Sequence, residues 1–293
     1  MKLVSYNIQY GRGRDGVFDL ERIAGEVAGA DIIALQEVER FWQRSGMRDQ
    51  AREIADLLRD YYWIYGAGID LNCEADVGAG LNADARNRRR QFGNMLLSRQ
   101  PILSSRNHLL PKYGSLGPMS IQRSALEGVI ETAGRLLRVY SLHLTHLSAE
   151  TRMPQLKRLL AIHERAPVEG GALSGAGLKE EWTQDGMPPA LPGEAIFMGD
   201  FNMQPDSEEY ARMTGPVSPY GGRITNPHGF VDAWVAAGND EGEGVTADID
   251  GRGVRLDYCF VSASMIDAIR AARIDGDAAG SDHQPLWVEI DRD

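Results

Sequence analysis

The sequence predicts an α/β protein built on a mixed sheet, or on two sheets packed face to face, and two observations favour this class. Helix-like and strand-like segments are interspersed along the chain. In addition, many neighbouring strand-like runs have no helix between them. Parallel neighbours need a long crossover, so such runs indicate antiparallel pairs, and a purely parallel sheet fits less well.

The first half of the chain begins with a β-rich strand over 3–8. Asp19 is suited to cap a helix that reaches about residue 28. A continuous apolar run over 31–36 is typical of a strand covered on both faces. The further predicted elements are a helix over 49–58, a strand over 61–65, a loop over 66–90, and strands over 92–97, 102–107, 124–131 and 136–142.

The second half continues the mixture of elements. Apolar spacing predicts a helix over 149–164. The stretch 166–193 is rich in Gly and Pro, and we interpret it as a surface loop inserted into a single domain over 1–293, because strand-like sequence resumes directly after it. The remaining predicted strands cover 195–198, 255–261, 269–274 and 286–290.

Charge and cysteine content restrict the classes of protein. The chain carries 31 Lys and Arg against 42 Asp and Glu, a net charge of −11. Such an acidic surface repels a phosphate backbone, which counts against a non-specific nucleic-acid binder. Two cysteines exclude a disulfide framework and fit a reducing compartment. Charges interrupt every apolar run, and the N-terminus lacks a long apolar stretch, so we expect a cytoplasmic protein without a membrane span.

Polar side chains mark the carboxyl ends of apolar strands or the loops just beyond them. Strand ends hold exposed groups on a rigid scaffold, so these segments are expected to meet at one pole. Asn, Glu and Asp oxygens suit Mg²⁺ or Mn²⁺, His can stabilise a phosphoryl oxygen, and Asp can accept a proton from water. The residues concerned are Asn7, Glu37, His143, Asp200, Asn202, Asp282 and His283.

Each of these residues taken alone also has a purely structural interpretation. Asn7 and the Gly199-Asp200-Phe201-Asn202 stretch are typical of turns, and Glu37 is typical of a solvated position. His143 and His146 lie three residues apart, which places them on opposite faces of a strand, so we expect only His143 in a site. The conjunction of the residues is what favours a common function.

The ordered set of short motifs resembles the endonuclease/exonuclease/phosphatase superfamily of Mg²⁺-dependent phosphohydrolases. The motifs run from residue 5 to residue 283, and their order is more specific than any one of them. They are Ser5-Tyr6-Asn7, Leu35-Gln36-Glu37-Val38, Gly93-Asn94-Met95-Leu96-Leu97-Ser98, Ser141-Leu142-His143, Gly199-Asp200-Phe201-Asn202, Leu256-Asp257-Tyr258 and Ser281-Asp282-His283.

The resemblance implies a four-layer α/β sandwich, in which two mixed β-sheets pack face to face with helices outside. It also implies a role for each matching residue. Glu37, with Asn7 and Asp282, would hold Mg²⁺ or Mn²⁺, and Arg123 would contact the substrate phosphate. Asp200 would activate water that Asn202 orients, His143 and His283 would stabilise the phosphoryl group, and Asp257 would orient His283.

One departure from the family pattern concerns Gln9. Apurinic-site endonucleases carry an aspartate two residues after the first asparagine, and this chain carries Gln9 there. The departure disfavours that branch. The stretch over 39–50 resembles less-characterised bacterial members of the superfamily.

The implied activity is metal-dependent hydrolysis of a phosphodiester by in-line attack of water. A nuclease needs phosphate contacts along a groove, and the one dense basic cluster comprises Arg86 and residues 88–90. We therefore favour a small phosphoester or a lipid head group, with DNA or RNA as the alternative and a catalytically inactive phosphate-binding module as a third reading. The aromatic residues that could stack on a base or cover a lipid, or simply pack, are Trp42, Tyr62, Trp63 and Trp182.

Overall fold

The computed structural model describes residues 1–73, 88–175, 179–184 and 186–291. Its strands are β1 (Lys2–Asn7), β2 (Ile32–Arg40), β3 (Tyr62–Asn72), β4 (Arg89–Ser98), β5 (Ile102–Leu109), β6 (Ser124–Thr132), β7 (Arg135–His143), β8 (Ala195–Asp200), β9 (Phe230–Asp232), β10 (Ala247–Ile249), β11 (Arg252–Val254), β12 (Asp257–Ser262), β13 (Ile269–Ile274) and β14 (Leu286–Ile290). Its α-helices are α1 (Leu20–Glu26), α2 (Gln50–Leu57), α3 (Ala149–Glu169), α4 (Glu180–Thr183), α5 (Glu208–Thr214) and α6 (Ala233–Ala236).

Two six-stranded mixed sheets form the centre of the molecule. The first has the strand order β13-β14-β1-β2-β4-β3, and the second has the order β5-β6-β7-β8-β12-β9. Only β1–β2 and β7–β8 are parallel among the described pairs, with Asn7 opposite Gln36 and His143 opposite Asp200. His143 and Asp200 end β7 and β8 side by side, and the packing of the two sheets brings Asn7 at the end of β1 next to Asp200. We call this end of the sandwich the strand-end pole.

Three apolar layers hold the sandwich together. The layer between the sheets joins residues of both, such as Leu3, Leu96, Val139 and Met198. Side chains of α1 and α2 pack on the outer face of the first sheet, and side chains of α3 and α5 pack on the outer face of the second. The predicted four-layer α/β sandwich is therefore confirmed. Asp19 caps α1 as predicted, since its side chain accepts the Arg22 backbone N–H at 3.0 Å.

The bounds predicted for the loop over 66–90 are wrong at both ends. β3 continues to Asn72, and β4 begins at Arg89, while residues 74–87, including Arg86, lie outside the described part. The glycines in β3 are not turn residues: a Cβ atom on Gly68 would lie 2.5 Å from the Gln122 carbonyl oxygen. The sequence presents this glycine as a turn signal. In the structure Gly68 lies within a strand, where glycine is needed because two backbones approach each other closely.

The surface loop predicted over 166–193 also begins too early. Helix α3 passes Pro167 and ends at Glu169, and the short helix α4 lies inside the stretch. Ala166 is buried against Val129 and Leu191, and this packing supports a last helical turn that proline would otherwise disfavour. Of the helices in the described ranges, none has both the length and the apolar character that a membrane crossing requires.

Candidate active site

Asp200 lies at the centre of the polar cluster at the strand-end pole. It is the last residue of β8 and is buried. Its Oδ2 atom accepts a hydrogen bond from Asn7 Nδ2 at 3.0 Å and lies 3.1 Å from His143 Nε2 and 3.8 Å from His283 Nε2. Burial opposes ionisation of Asp200, but His143 and His283 outweigh it, so the pKa of Asp200 lies well below its ordinary range. Asp200 is therefore an ionised hydrogen-bond acceptor.

His283 bridges two acids of neighbouring strands. Asp257 starts β12 and lies opposite Asp200 in the antiparallel β8–β12 ladder. The Asp257 Oδ2 atom lies 2.7 Å from His283 Nδ1. Burial lowers the pKa of His283, but the contact with Asp257 outweighs burial and raises it to about 10. His283 is thus an imidazolium at neutral pH, aligned between two carboxylates.

Arg123 contacts a second histidine of the cluster, His143. It is 4% exposed, and it contacts His143 Nδ1 through Nη1 at 3.0 Å and His146 Nδ1 through Nη2 at 3.3 Å. Arginine can only donate, so both Nδ1 atoms accept from Arg123, and the Nε2 atom of His143 faces Asp200. The guanidinium Nε atom is buried without a partner, and Arg123 forms no ion pair with a described carboxylate. A cation with spare hydrogen-bonding capacity therefore lies beside the cluster.

Asn202 is positioned by a tight turn after β8. Its backbone N–H donates to Asp200 Oδ1 at 2.8 Å, and its Nδ2 atom donates to the Leu144 carbonyl at 3.1 Å and lies 3.1 Å from His143 Nε2. Asn202 has a positive φ of 51°, a conformation that asparagine tolerates better than most residues. Gly199 precedes the turn, and a Cβ atom there would lie 1.9 Å from the Leu142 carbonyl oxygen.

Glu37 does not end its strand, contrary to the sequence interpretation. β2 continues to Arg40, and the pairing with β4 shifts register between Leu35 and Val38. Glu37 lies in this bulge with a φ of 61°, and bulges commonly redirect a side chain near a functional site. Its carboxylate lies 3.9 Å from His143 Nδ1 and accepts no hydrogen bond from the residues that the structure describes.

Asn7 and Asp282 are connected through Gln9. The Gln9 backbone N–H donates to Asn7 Oδ1 at 3.1 Å, and its Nε2 atom donates to Asp282 Oδ2 at 2.6 Å. Ser281 Oγ donates to the Asn7 carbonyl at 2.7 Å. The position that departs from the family pattern therefore lies beside the predicted metal-binding residues, where Gln9 donates to an acid.

The structure thus places all nine predicted site residues at the strand-end pole, and it adds two that sequence reasoning missed. Strand alternation predicts His146 to lie outside the site, but β7 ends at His143, so the alternation rule does not reach His146. The family pattern presents Gln9 only as a missing acid. The spacing of Gln9 from Asn7 was the signal that could have identified it as a neighbour of the site.

Two groups of side chains at this pole could hold a metal ion. Within the described ranges, Asp200, Asp257 and His283 have ligand atoms within 4.8 Å of one another. However, the His283 Nδ1 atom is already engaged by Asp257, so this group suits proton and charge handling better than coordination. Glu37 offers a carboxylate without a hydrogen-bond donor, and Asn7 and Asp282 offer further oxygens. This oxygen set is chemically suited to a hard divalent cation.

A four-layer sandwich with a carboxylate–imidazole network at one pole defines a deoxyribonuclease-like class of fold. The chain belongs to the Endonuclease/Exonuclease/phosphatase family, which matches residues 4–283. Members of this family are generally phosphoesterases or nucleases. No protein with a curated description matches the sequence.

Solved structures share the fold at low sequence identity. An endonuclease/exonuclease/phosphatase from Bacteroides vulgatus is 17% identical with a TM-score of 0.66, covering 100% of this chain and 98% of that one. A mannosyl-6-phosphatase from Bacteroides thetaiotaomicron VPI-5482 is 17% identical with a TM-score of 0.63, covering 100% of both chains. The human Nocturnin catalytic domain with bound sulfate is 19% identical with a TM-score of 0.61, covering 99% of this chain and 93% of that one.

Proposed function

We propose that the chain is a Mg²⁺- or Mn²⁺-dependent phosphoric ester hydrolase that cleaves a phosphodiester of a small or lipid-derived alcohol. The observation that carries this proposal is one buried carboxylate, Asp200, within reach of Asn7, His143 and His283. Arg123, a cation without an ion-pair partner among the described residues, lies next to the same histidine. Such an arrangement can both orient water and receive an anionic phosphate.

Glu37, Asn7 and Asp282 would hold the divalent cation. The main reason for this assignment is that the Glu37 carboxylate accepts no hydrogen bond from a described residue and lies 3.9 Å from His143 Nδ1. When bound, the cation would neutralise charge on the phosphoryl oxygens as a Lewis acid. Gln9 would keep Asp282 oriented through its 2.6 Å hydrogen bond.

Asp200 would orient the attacking water and accept its proton. The water oxygen forms a bond to phosphorus, the opposite P–O bond to the alcohol breaks, and the alcohol leaves as an alkoxide that takes up a proton from solvent. Phosphoryl transfer passes through a loose transition state, so positioning the water matters more than early deprotonation. This suits a carboxylate whose low pKa makes it a weak base. Asn202 would help to orient the same water.

His143, His283 and Arg123 would stabilise the charge that develops on the phosphoryl oxygens. His283 is held as an imidazolium by Asp257, and Arg123 is a permanent cation. Both are in place before substrate binds, so little reorganisation is needed in the reaction.

We further propose that the chain works as a single catalytic domain in the cytoplasm, which its two unpaired cysteines support.

The test is hydrolysis of bis-p-nitrophenyl phosphate with Mg²⁺ or Mn²⁺, with and without EDTA, in the wild type and in Asp200→Asn. We expect activity that EDTA abolishes, and a loss of about 10²- to 10³-fold in kcat for the variant. The control is Asp206→Asn, which makes the same charge change at an exposed position six residues away. Wild-type kcat in Asp200→Asn would refute the proposed role, and an inactive wild type would favour a binding module.

A further inference from the structure

A cavity opens next to the candidate active site. It has a volume of about 590 Å³, and Glu37 forms part of its wall. Glu37 also lies 3.9 Å from His143 Nδ1, and Gln122, another wall residue, donates to the Arg123 carbonyl at 2.9 Å. The cavity therefore adjoins the phosphate site of the proposed function. We call it the side pocket.

Apolar side chains form most of the side pocket. The edge strand β3 contributes Ile69 and Leu71, β4 contributes Phe92, and the segment before β6 contributes Met119 and Ile121. Leu71 is 46% exposed and Met119 is 72% exposed. Large exposed apolar side chains grouped in a concave surface are typical of a site that binds an apolar ligand group.

The polar groups around the side pocket are largely engaged with the protein. Arg44 donates to the buried Glu39 carboxylate and lies over the Tyr10 ring at 4.1 Å. The Trp42 indole N–H donates to the Gln91 carbonyl at 2.7 Å, and Asp70 accepts from Arg89 at 2.8 Å. These engaged groups are not free to recognise the polar edge of a base or a sugar, although Glu37, Lys112 and Ser120 also line the described part of the pocket. This disfavours a nucleoside as the occupant.

We infer that the side pocket binds the hydrocarbon part of the alcohol in a phosphoester whose phosphate lies at Arg123 and His143. The inference rests on the proposed function, because it needs a phosphate at that position. It narrows the substrate class to phosphoesters with an alkyl chain of several carbons. An apolar chain in the pocket would also orient the ester relative to Asp200.

The experiment measures calorimetric binding of methyl phosphate, hexyl phosphate and thymidine 5′-phosphate to the Mg²⁺-saturated protein. Each methylene that is fully removed from water contributes roughly fourfold in affinity. In a partly open pocket we expect hexyl phosphate to bind about 10- to 100-fold more tightly than methyl phosphate. We also expect it to bind more tightly than thymidine 5′-phosphate.

Two variants place a charge in the side pocket from opposite walls. Leu71→Asp changes the edge strand, and Met119→Asp changes the exposed segment facing it. Each should reduce the hexyl-to-methyl affinity ratio at least about fivefold, because the charge must be desolvated against the chain. The matched control is Leu103→Asp, at a strand leucine that is 40% exposed and does not line the pocket.

Three results would overturn the inference. The first is equal affinity for methyl and hexyl phosphate in the wild type. The second is tighter binding of thymidine 5′-phosphate, which would assign the pocket to a nucleoside. The third is an equal loss of the ratio in Leu103→Asp. If bis-p-nitrophenyl phosphate is hydrolysed in any of these cases, the proposed function stands without the side pocket. If bis-p-nitrophenyl phosphate is not hydrolysed and none of the phosphate ligands binds, both the proposed function and the inference about the side pocket fail.

Discussion

Two buried arginines at opposite ends of strand β7 contact histidines in the same way but have different surroundings. Arg138 lies near the start of β7 and contacts His163 Nδ1 at 2.9 Å. Arg123 lies beside the end of β7 and contacts His143 Nδ1 at 3.0 Å. Neither forms an ion pair with a described carboxylate. The difference lies in how many of the remaining N–H groups are satisfied.

Arg138 is fully engaged by the protein. It is 0% exposed and donates through Nε, Nη1 and Nη2 to neutral acceptors. These acceptors are the carbonyls of Pro192, His163 and Gly193 and the Tyr140 hydroxyl. A guanidinium with this environment holds the end of α3 and the chain before β8 onto the sheet.

Arg123 has histidine nitrogens as partners and a buried Nε atom without one. Leaving a buried donor unpaired is costly, so such a group calls for an explanation, and a ligand, an ordered water or an ion can each supply its partner. Cavity size does not make the same distinction, because a larger cavity of about 760 Å³ lies at the Arg138 end, beside His163 and His228. Hydrogen-bond satisfaction therefore distinguishes Arg138 from Arg123, and it is consistent with the phosphate contact that we propose for Arg123.

The strongest test of the difference between Arg123 and Arg138 is Arg123→Met, which keeps a similar side-chain volume and removes the side-chain charge. We expect kcat/KM for a phosphodiester to fall about 10²- to 10³-fold, because a charge-stabilising donor is lost. The unfolding free energy should change less than in the matching variant at Arg138. A steady-state assay together with urea unfolding tests both statements. Unchanged kcat/KM would remove Arg123 from the proposed phosphate site.

The matching variant is Arg138→Met, and its effect should appear in stability. Several buried carbonyls would lose their donor, so we expect the unfolding free energy to fall by about 2–3 kcal/mol. The kcat of the folded protein should stay near the wild-type value, because Arg138 lies at the opposite end of β7. Urea unfolding and an assay normalised to folded protein provide the measurements. A large loss of kcat without destabilisation would reverse the roles of the two arginines.

The smallest expected effect concerns His163 and pH. Burial, and then Arg138, lower the pKa of His163 from 6.5 to about 4. Between these values the unfolded chain binds a proton that the folded chain does not, so stability falls as the pH falls from about 6.5 to about 4. From about pH 7 to about pH 5, wild type should lose about 1–2 kcal/mol more than His163→Asn, whose amide oxygen can still accept from Arg138. If the unfolding free energies of wild type and His163→Asn, measured in urea, changed with pH in the same way, His163 would not be the origin of this pH dependence.

Local sequence predicted much of the sandwich because its central strands are buried on both faces. The strand over 286–290 is predicted at its observed bounds, and Asp19 caps α1 as its residue type indicates. Where prediction failed, a distant contact was responsible. Gly68 in β3 lies against the backbone at Gln122, and Ala166 extends α3 through its packing on Val129 and Leu191. Neither neighbour is close in sequence.

The candidate site divides in a similar way. The residue types of Asn7, Asp200 and His283 already indicate metal-assisted phosphoester chemistry, and their order along the chain indicates the family. The bulge that redirects Glu37 depends on its register with β4, and the contact of His146 with Arg123 depends on where β7 ends. Such features follow from strand pairing, which a local pattern does not contain.

The amino-acid sequence alone determined the class of fold, the family and the chemical types of the groups at the strand-end pole, because burial patterns and short motifs are local properties. Only the tertiary structure decided which nitrogen of His143 faces Asp200, which arginine keeps unsatisfied donors, and where an apolar pocket adjoins the site. These properties depend on distances between residues far apart in the chain, and those distances are set when the two sheets pack together.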